Sequence, residues 1–366
     1  MSIVAAGLAA VLRGIVRMLG PYKTWRVFHE WFHRDPAAAR ALVEYVLESE
    51  KPSIPVRREF LAHWLGDELL VHAVRQQAGQ LTSPLYAFMA YRQVARLCRQ
   101  YGLDPNRLLE IGPGVHIGAL FCFAASGCEK VAGLDVQPMQ KHPVFYETLK
   151  EYMAAVSGFG WWRYSAAVNP YPEISHPNSW DNTRAEDILA RIDYRAPAAV
   201  EKMPFQDGAF DLVYSITAFE HFPDPAAAVH EIHRVLRPGG LTIHEIDLRQ
   251  HLDMRVHKPA EALDFLSWSE EEHRARSELY GDGKGLETLL KGGWATGEKA
   301  VYCNRLRLSD YKRLFEEQGF ELLSVEPVEV LSTNAIDRNR FVEPYKSKSL
   351  EDLSVLVARL VAKKVR

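Results

Sequence analysis

The sequence predicts an α/β chain in which a doubly wound, mostly parallel sheet follows a helical N-terminal region. Three observations carry this expectation. A short apolar run ends in a glycine loop at RLLEIGPG (107–114), the pattern of a buried parallel strand entering a tight turn. Apolar runs then alternate with helical stretches: KVAGLDV (130–136), FDLVYSI (210–216), DPAAAVHEIHRVLR (224–237) and GGLTIHEID (239–247). Upstream, from Met1 to about Gly102, no strand signal competes with helical periodicity. The division falls near residue 100, with a helical region over 1–100 and the α/β domain over 101–366.

Taken in order, residues 2–19 (SIVAAGLAAVLRGIVRML) are the one stretch resembling a membrane or targeting segment. Arg13 and Arg17 interrupt its apolar run, and no charged leader or cleavage site accompanies it, so a spanning helix is not expected. Two readings stay open. One is an amphipathic helix packed on the protein's own core or on a second subunit, as in a homodimer. The other is a helix lying on a membrane surface. AAARALVEYVLESE and SPLYAFMAYRQVARLCRQYG read as further helices, broken by Gly20-Pro21 and Lys51-Pro52 and closed by Gly102.

Within the α/β part, the helix after Asp224 is the most legible. Asp224 can cap it, Pro225 occupies its first position, and Val229, Ile232, Val235 and Leu236 share one face; Arg237-Pro238-Gly239-Gly240 ends it. Two stretches lack the rhythm, about 155–192 with Trp161, Trp162 and Tyr164, and about 250–303 with Gly281, Gly283, Gly285, Gly292 and Gly293. Long irregular connections of this kind often form lids or binding loops, so both are candidate substrate-recognition segments, and 270–300 is the candidate lid.

The bulk numbers exclude several classes. A net charge of −3 argues against a nucleic-acid partner, and 47% hydrophobic with 25% charged residues fits a packed globular protein. Cys98, Cys122, Cys128 and Cys303 contain no CxxC pair, which suits a reducing, cytoplasmic setting and gives no metal-ligand spacing. Asp181-Asn182 alone does not make a magnesium site, so no metal is expected.

The glycine loop carries the chemistry. Glycines at a strand end let backbone approach a nucleoside-like ligand, and Asp135 at the end of the next strand can accept hydrogen bonds from ribose hydroxyls. Gly112, Gly114 and Gly118 are spaced GxGxxxG rather than as the dinucleotide GxGxxG, and Glu110 precedes them on the strand. The loop alone does not separate S-adenosylmethionine from NAD.

In order along 107–248, this loop, the segment Met203-Pro204-Phe205-Gln206-Asp207-Gly208-Ala209-Phe210-Asp211, then Glu220-His221-Phe222 and Glu231-Ile232-His233-Arg234-Val235-Leu236-Arg237-Pro238-Gly239-Gly240 resemble the class I S-adenosylmethionine-dependent methyltransferases with a type 11-like domain. Asn304-Arg305-Leu306-Arg307 resembles a bacterial subgroup. The resemblance implies a Rossmann-like, seven-stranded sheet and S-adenosylmethionine as cofactor. It places Glu110, Gly112, Gly114 and Gly118 around the methionine part, Asp135 on the ribose, Val136 beside the adenine, and Ser215, Ile216 and Thr217 at the cofactor's amino-acid end. Relatives usually carry an acidic residue where this chain has Ala199, so adenine recognition falls to the backbone of Val200 and Glu201 or to another side chain. Glu110 could instead be a strand-end carboxylate satisfied by the loop, and Asp211 suits a backbone-bonding role.

The implied reaction is in-line methyl transfer, mainly by proximity, to oxygen of a small-molecule, glycan or lipid intermediate. An oxygen acceptor needs a base. His251 and Asp247 come first, then His221, which has packing under the cofactor loop as its alternative; His244 lies on the same strand end. Two other classes remain: an NAD-linked oxidoreductase, which shares the loop and Asp135 but not the later segments, and a non-catalytic module of the same fold.

Overall fold

The computed structural model describes residues 84–114, 116–136, 138, 146, 149–150, 183–251, 259–278 and 300–365. The chain divides into two compact units, residues 1–89 with 142–185, and residues 90–141 with 186–366. Everything below concerns the second. The segment 2–19, the aromatic residues Trp161, Trp162 and Tyr164, and the glycines from Gly281 to Gly293 lie outside the described residues. No helix among the described residues is long and apolar enough to cross a membrane.

The strands are β1 (Arg107–Ile111), β2 (Lys130–Leu134), β3 (Ile192–Arg195), β4 (Phe210–Ile216), β5 (Leu236–Asp247), β6 (Phe320–Val330) and β7 (Val355–Lys364). They form one seven-stranded sheet in the order β3-β2-β1-β4-β5-β7-β6, as the resemblance implied. β1 to β5 pair in parallel, and β7 runs antiparallel to both β5 and β6. Strand order reverses between β1 and β4. In a doubly wound sheet that reversal opens a crevice at the strands' carboxyl ends, which locates the site.

The helices are α1 (Pro84–Gln100), α2 (Gly118–Ala125), α3 (Ala185–Leu189), α4 (Pro225–Val235), α5 (Glu270–Arg276), α6 (Leu308–Glu317) and α7 (Leu350–Ser354). α4 begins as its sequence requires: the Asp224 carboxylate accepts from Ala227 N at 3.0 Å and Pro225 is the first residue. Its buried face, Ala228, Val229, Ile232 and Val235, packs in the main core with Phe210, Phe315 and Phe320. The helix does not end at the Arg-Pro-Gly-Gly turn. Leu236 already pairs with Phe210, and β5 resumes at Leu241 opposite Leu212, so residues 237–240 form an irregularity inside the strand.

The second irregular stretch is partly core. Pro259–Ser267 is a 3-10 helix whose Ala262, Leu263, Phe265 and Leu266 pack with Phe341, Tyr345 and Leu356. Residues 262–268 thus contribute to a second core, while residues 252–258 and 279–299 of the same stretch lie outside the described residues.

Charged side chains lock the connections. Asp211 accepts from Asn106 N and Arg107 N at 3.3 and 3.1 Å, the backbone role expected of it, and so ties β4 to the entry of β1. Glu231 accepts from Met203 N at 2.7 Å, while Arg234 grips Glu231 and donates to the carbonyls of Met203 and Phe205. That pair ties the Met203–Asp207 segment to the last turns of α4.

Candidate active site

The glycine loop follows from β1. Gly112 donates to Leu134 O at 2.8 Å, and Gly112 and Gly114 have φ of +68° and +76°, a region costly for other L-residues. Their reasons for being glycine differ. A Cβ on Gly112 would sit 2.6 Å from the Cβ of Ala218, whereas one on Gly114 would meet nothing within 4 Å. Gly112 is thus fixed by the close approach of the loop after β4, and Gly114 by backbone conformation beside open space. Gly118 opens α2 and is buried with the rest of that helix.

Asp135 stands at the end of β2, mostly buried, and its Oδ2 accepts from Gly114 N at 2.9 Å. It therefore orders the glycine loop as well as facing the crevice. Val136 is 41% exposed, one of four large apolar side chains left in solvent among the described residues. Val200 is buried and Glu201 half-exposed in the 3-10 turn Val200–Lys202. Replacing Asp135 with Ala should weaken S-adenosylmethionine binding by about 1–3 kcal/mol; an unchanged calorimetric Kd in a folded variant would remove it from the site. Gly112→Ala should lower the melting temperature through the Ala218 clash. Gly114→Ala should cost about 1–2 kcal/mol of stability through its backbone alone, and thermal melts of the two variants without ligand would separate the effects.

Glu110 is 5% exposed on β1, and its Oε2 has no hydrogen-bond partner among the described residues. Burial pushes its carboxyl up to about 8, with the Tyr214 hydroxyl pulling the other way. A buried carboxyl in want of a partner suits a cationic ligand, and S-adenosylmethionine presents an ammonium and a sulfonium. The residues fit the cofactor.

Beyond β4, Thr217 has φ of +48° and donates from its N to Glu245 O at 2.8 Å. Ser215 is fully buried. Its hydroxyl bonds His244 Nδ1 at 2.8 Å, while Thr242 Oγ1 bonds His244 Nε2 at 2.6 Å, so the Ser215 side chain faces the core and only its backbone is left for the crevice. His244 is a core residue edged by Phe219, its ring pushed by burial to about 3. Ile216, half-buried, ends the strand.

The loop after β4 then delivers Ala218 to the glycine loop and Glu220 and His221 to the end of β5. There Asp247 Oδ2 lies 3.5 Å from His251 Nε2, and the His221 and His251 rings are 4.9 Å apart. Arg249 holds the Asp247 carboxylate with both arms, at 2.8 and 2.6 Å, and with its backbone N at 3.0 Å. Burial would raise that carboxyl, but the bonds from His251 and Arg249 outweigh it and hold it far below the usual range. Burial also works against charge on His251, yet Cys303 and Asp247 raise it well above an ordinary imidazole. His221 goes the other way: burial, reinforced by the charge on His251, pushes it down to about 3. Its Nδ1 is 2.7 Å from Tyr302 O, so that nitrogen carries the proton and Nε2 the lone pair.

The structure sets His221, Asp247 and His251, each a candidate base in the sequence, beside one another, and adds Glu220 and Cys303, which the sequence did not single out. No spacing signal pointed to Cys303, 52 positions beyond His251 in the numbering. Asn304 and Arg307 serve structure. Asn304 donates to the carbonyls of Phe219 and Phe222 and accepts from Tyr311, clamping the loop after β4. Arg307, fully buried, donates to the carbonyls of Leu248, Leu353 and Val355.

Fold, loop and motifs together define a class I S-adenosylmethionine-dependent methyltransferase. The methyltransferase domain family matches residues 85–325, and the chain belongs to it; this sets aside the nicotinamide-linked alternative. Tocopherol O-methyltransferase of Arabidopsis thaliana is 40% identical over 63 residues, 17% of this chain and 18% of that protein. The 2-methyl-6-phytyl-1,4-hydroquinone methyltransferase of Synechocystis sp. is 33% identical over 123 residues, 31% of this chain and 37% of that protein. The chain spans under half the length of these curated relatives. Geranyl diphosphate C-methyltransferase of Streptomyces coelicolor A3(2) superposes with a TM-score of 0.39 at 11% identity, covering 75% of this chain and 77% of that one.

Proposed function

We propose that the chain transfers the methyl group of S-adenosylmethionine to a hydroxyl oxygen of a small-molecule acceptor, a free metabolite or a glycan or lipid intermediate. The observation that carries this reading is the buried imidazole–carboxylate cluster His221, His251 and Asp247 at the ends of β4 and β5, joined to the glycine loop through Ala218. Relatives named for tocopherol and for ubiquinone biosynthesis as O-methyltransferases support oxygen as the acceptor atom.

In this reading Glu110, Gly112, Gly114 and Gly118 hold the methionine part, Asp135 the ribose, and Val136, Val200 and Glu201 the adenine. The backbone of Ser215, Ile216 and Thr217 lies at the amino-acid end. The acceptor oxygen attacks the methyl carbon as the carbon–sulfur bond breaks, the electron pair stays on sulfur, and the hydroxyl proton passes to His221 Nε2. His221 takes that role over Asp247, whose oxygens are engaged by Arg249, and over His251, which is held charged. It also keeps 11% of its side chain exposed, against 3% for His251 and 5% for Asp247. Asp247 and His251 position it.

Incubation with methyl-labelled cofactor and a metabolite and lipid extract, followed by product identification, tests the reading. A methyl ether is expected. Label on carbon or nitrogen would refute the oxygen assignment, and tight cofactor binding with no product from any extract would favour a non-catalytic module.

Glu110 gives a further check. If a cofactor cation draws out its charged form, binding at pH 7 should release a proton, and affinity should rise with pH up to about 8. Calorimetry in buffers of different ionisation enthalpy measures the release, and Glu110→Gln should abolish it.

A further inference from the structure

We propose that His221, His251, Cys303 and Glu220 form a binding site for a divalent transition metal ion of the zinc class. One donor atom from each of His221, His251 and Cys303 lies within 4.8 Å of the other two. Cys303 Sγ is 3.9 Å from His221 Nδ1, the nitrogen bonded to Tyr302 O, and Glu220 Oε1 is 3.9 Å from Nε2, the nitrogen left to bind an ion. A tetrahedral ion with bonds of about 2.0–2.3 Å needs donor separations of about 3.3–3.8 Å, so small side-chain movements complete the cage.

Glu220 is the independent observation. It is 2% exposed, and among the described residues neither of its carboxylate oxygens meets hydrogen-bond geometry, the backbone N–H groups of Glu220 and Asp247 being its nearest favourable dipoles. An uncompensated buried carboxylate is costly, and a cation among the four groups removes that cost. Burial accordingly pushes this carboxyl up to about 8 without an ion.

The surroundings match those of metal ligands. His221 is oriented by Tyr302 O at 2.7 Å and His251 by Asp247 at 3.5 Å, the carbonyl and carboxylate supports that ligating imidazoles commonly have. Two imidazoles, a thiolate and one carboxylate suit zinc, or cobalt in its place, and not the all-oxygen preference of magnesium or calcium. Loading exchanges the Cys303 thiol proton, the His251 ring proton and the Glu220 carboxyl proton for one divalent ion, so the cluster loses one unit of positive charge.

The site does not depend on the identity of the methyl acceptor. One consequence does rest on the transfer reading: an ion that engages His221 takes the lone pair needed as base, so metal and acceptor proton compete and loading should inhibit transfer.

The test uses full-length, tag-free protein stripped with a chelator, then dialysed separately against zinc and cobalt. One ion per chain is expected, and the cobalt form should show a thiolate-to-cobalt charge-transfer band. Cys303→Ser should lose that band while Cys128→Ser keeps it, and Glu220→Gln should keep it with zinc bound about tenfold more weakly. Thermal melts of the stripped variants report folding. Zinc uptake well below one per chain, cobalt bound without the band in the parent protein, or a band surviving Cys303→Ser would each overturn the proposal. A full band with undiminished methyl transfer would support the site and refute His221 as the base.

Discussion

If His221 is the base proposed above, replacing it with Gln is expected to lower the rate of methyl transfer to a hydroxyl acceptor by roughly 10² and to leave cofactor affinity within about twofold. The effect sits at the low end for a general base because the His221 ring is a weak one, pushed down to about 3. Orientation and proximity supply the rest of the acceleration, and they survive the substitution. The pH dependence carries the sign. Because the folded ring binds its proton more weakly than the unfolded one, His221 contributes stability that is present above about 6.5 and is lost as pH falls toward 3. Single-turnover rates with labelled cofactor measure the first effect, and melts of parent and variant across that range the second. A rate equal to the parent's would exclude His221 as the base and return attention to His251.

Arg307→Met should cost about 3 kcal/mol or more, because a buried acceptor left without its donor costs roughly 1–3 kcal/mol and three carbonyls lose theirs together. Those carbonyls belong to Leu248, just past β5, and to Leu353 and Val355, where α7 becomes β7. Burial brings the guanidinium down to about 10, still charged at neutral pH. Urea unfolding would show the loss. A midpoint unchanged from the parent would mean that water or a rearranged side chain satisfies the carbonyls.

The residues explain which parts of this fold were legible in advance. β1, β2 and β4 are buried through most of their length, so each reads as a short apolar run, and α4 carries its own cap and proline. β3 is four residues, IDYR, three half-buried and Arg195 exposed, with no periodic signal. β6 lies at the sheet edge, contains Pro327 and exposes residues 326–330, so neither alternation nor apolarity marks it. β7 follows α7 without a turn residue between Ser354 and Val355, which hides where one period gives way to the other. For the site, loop glycines and strand-end carboxylates have local signatures. The convergence of Cys303 on His221 and His251 is a tertiary event, set by the clamp of Asn304 on the loop after β4.

That loop has a mechanical meaning. Ala218 touches the position of Gly112, Glu220 and His221 border the acceptor side, and only one residue separates Ala218 from Glu220. Asn304 fastens the peptide at Phe219 and Phe222, so the glycine-loop contact and the Glu220–His221 pair hang on one clamp. Asn304→Ala is therefore expected to loosen both ends together, which hydrogen exchange at the amides of Gly112 and His221 would read.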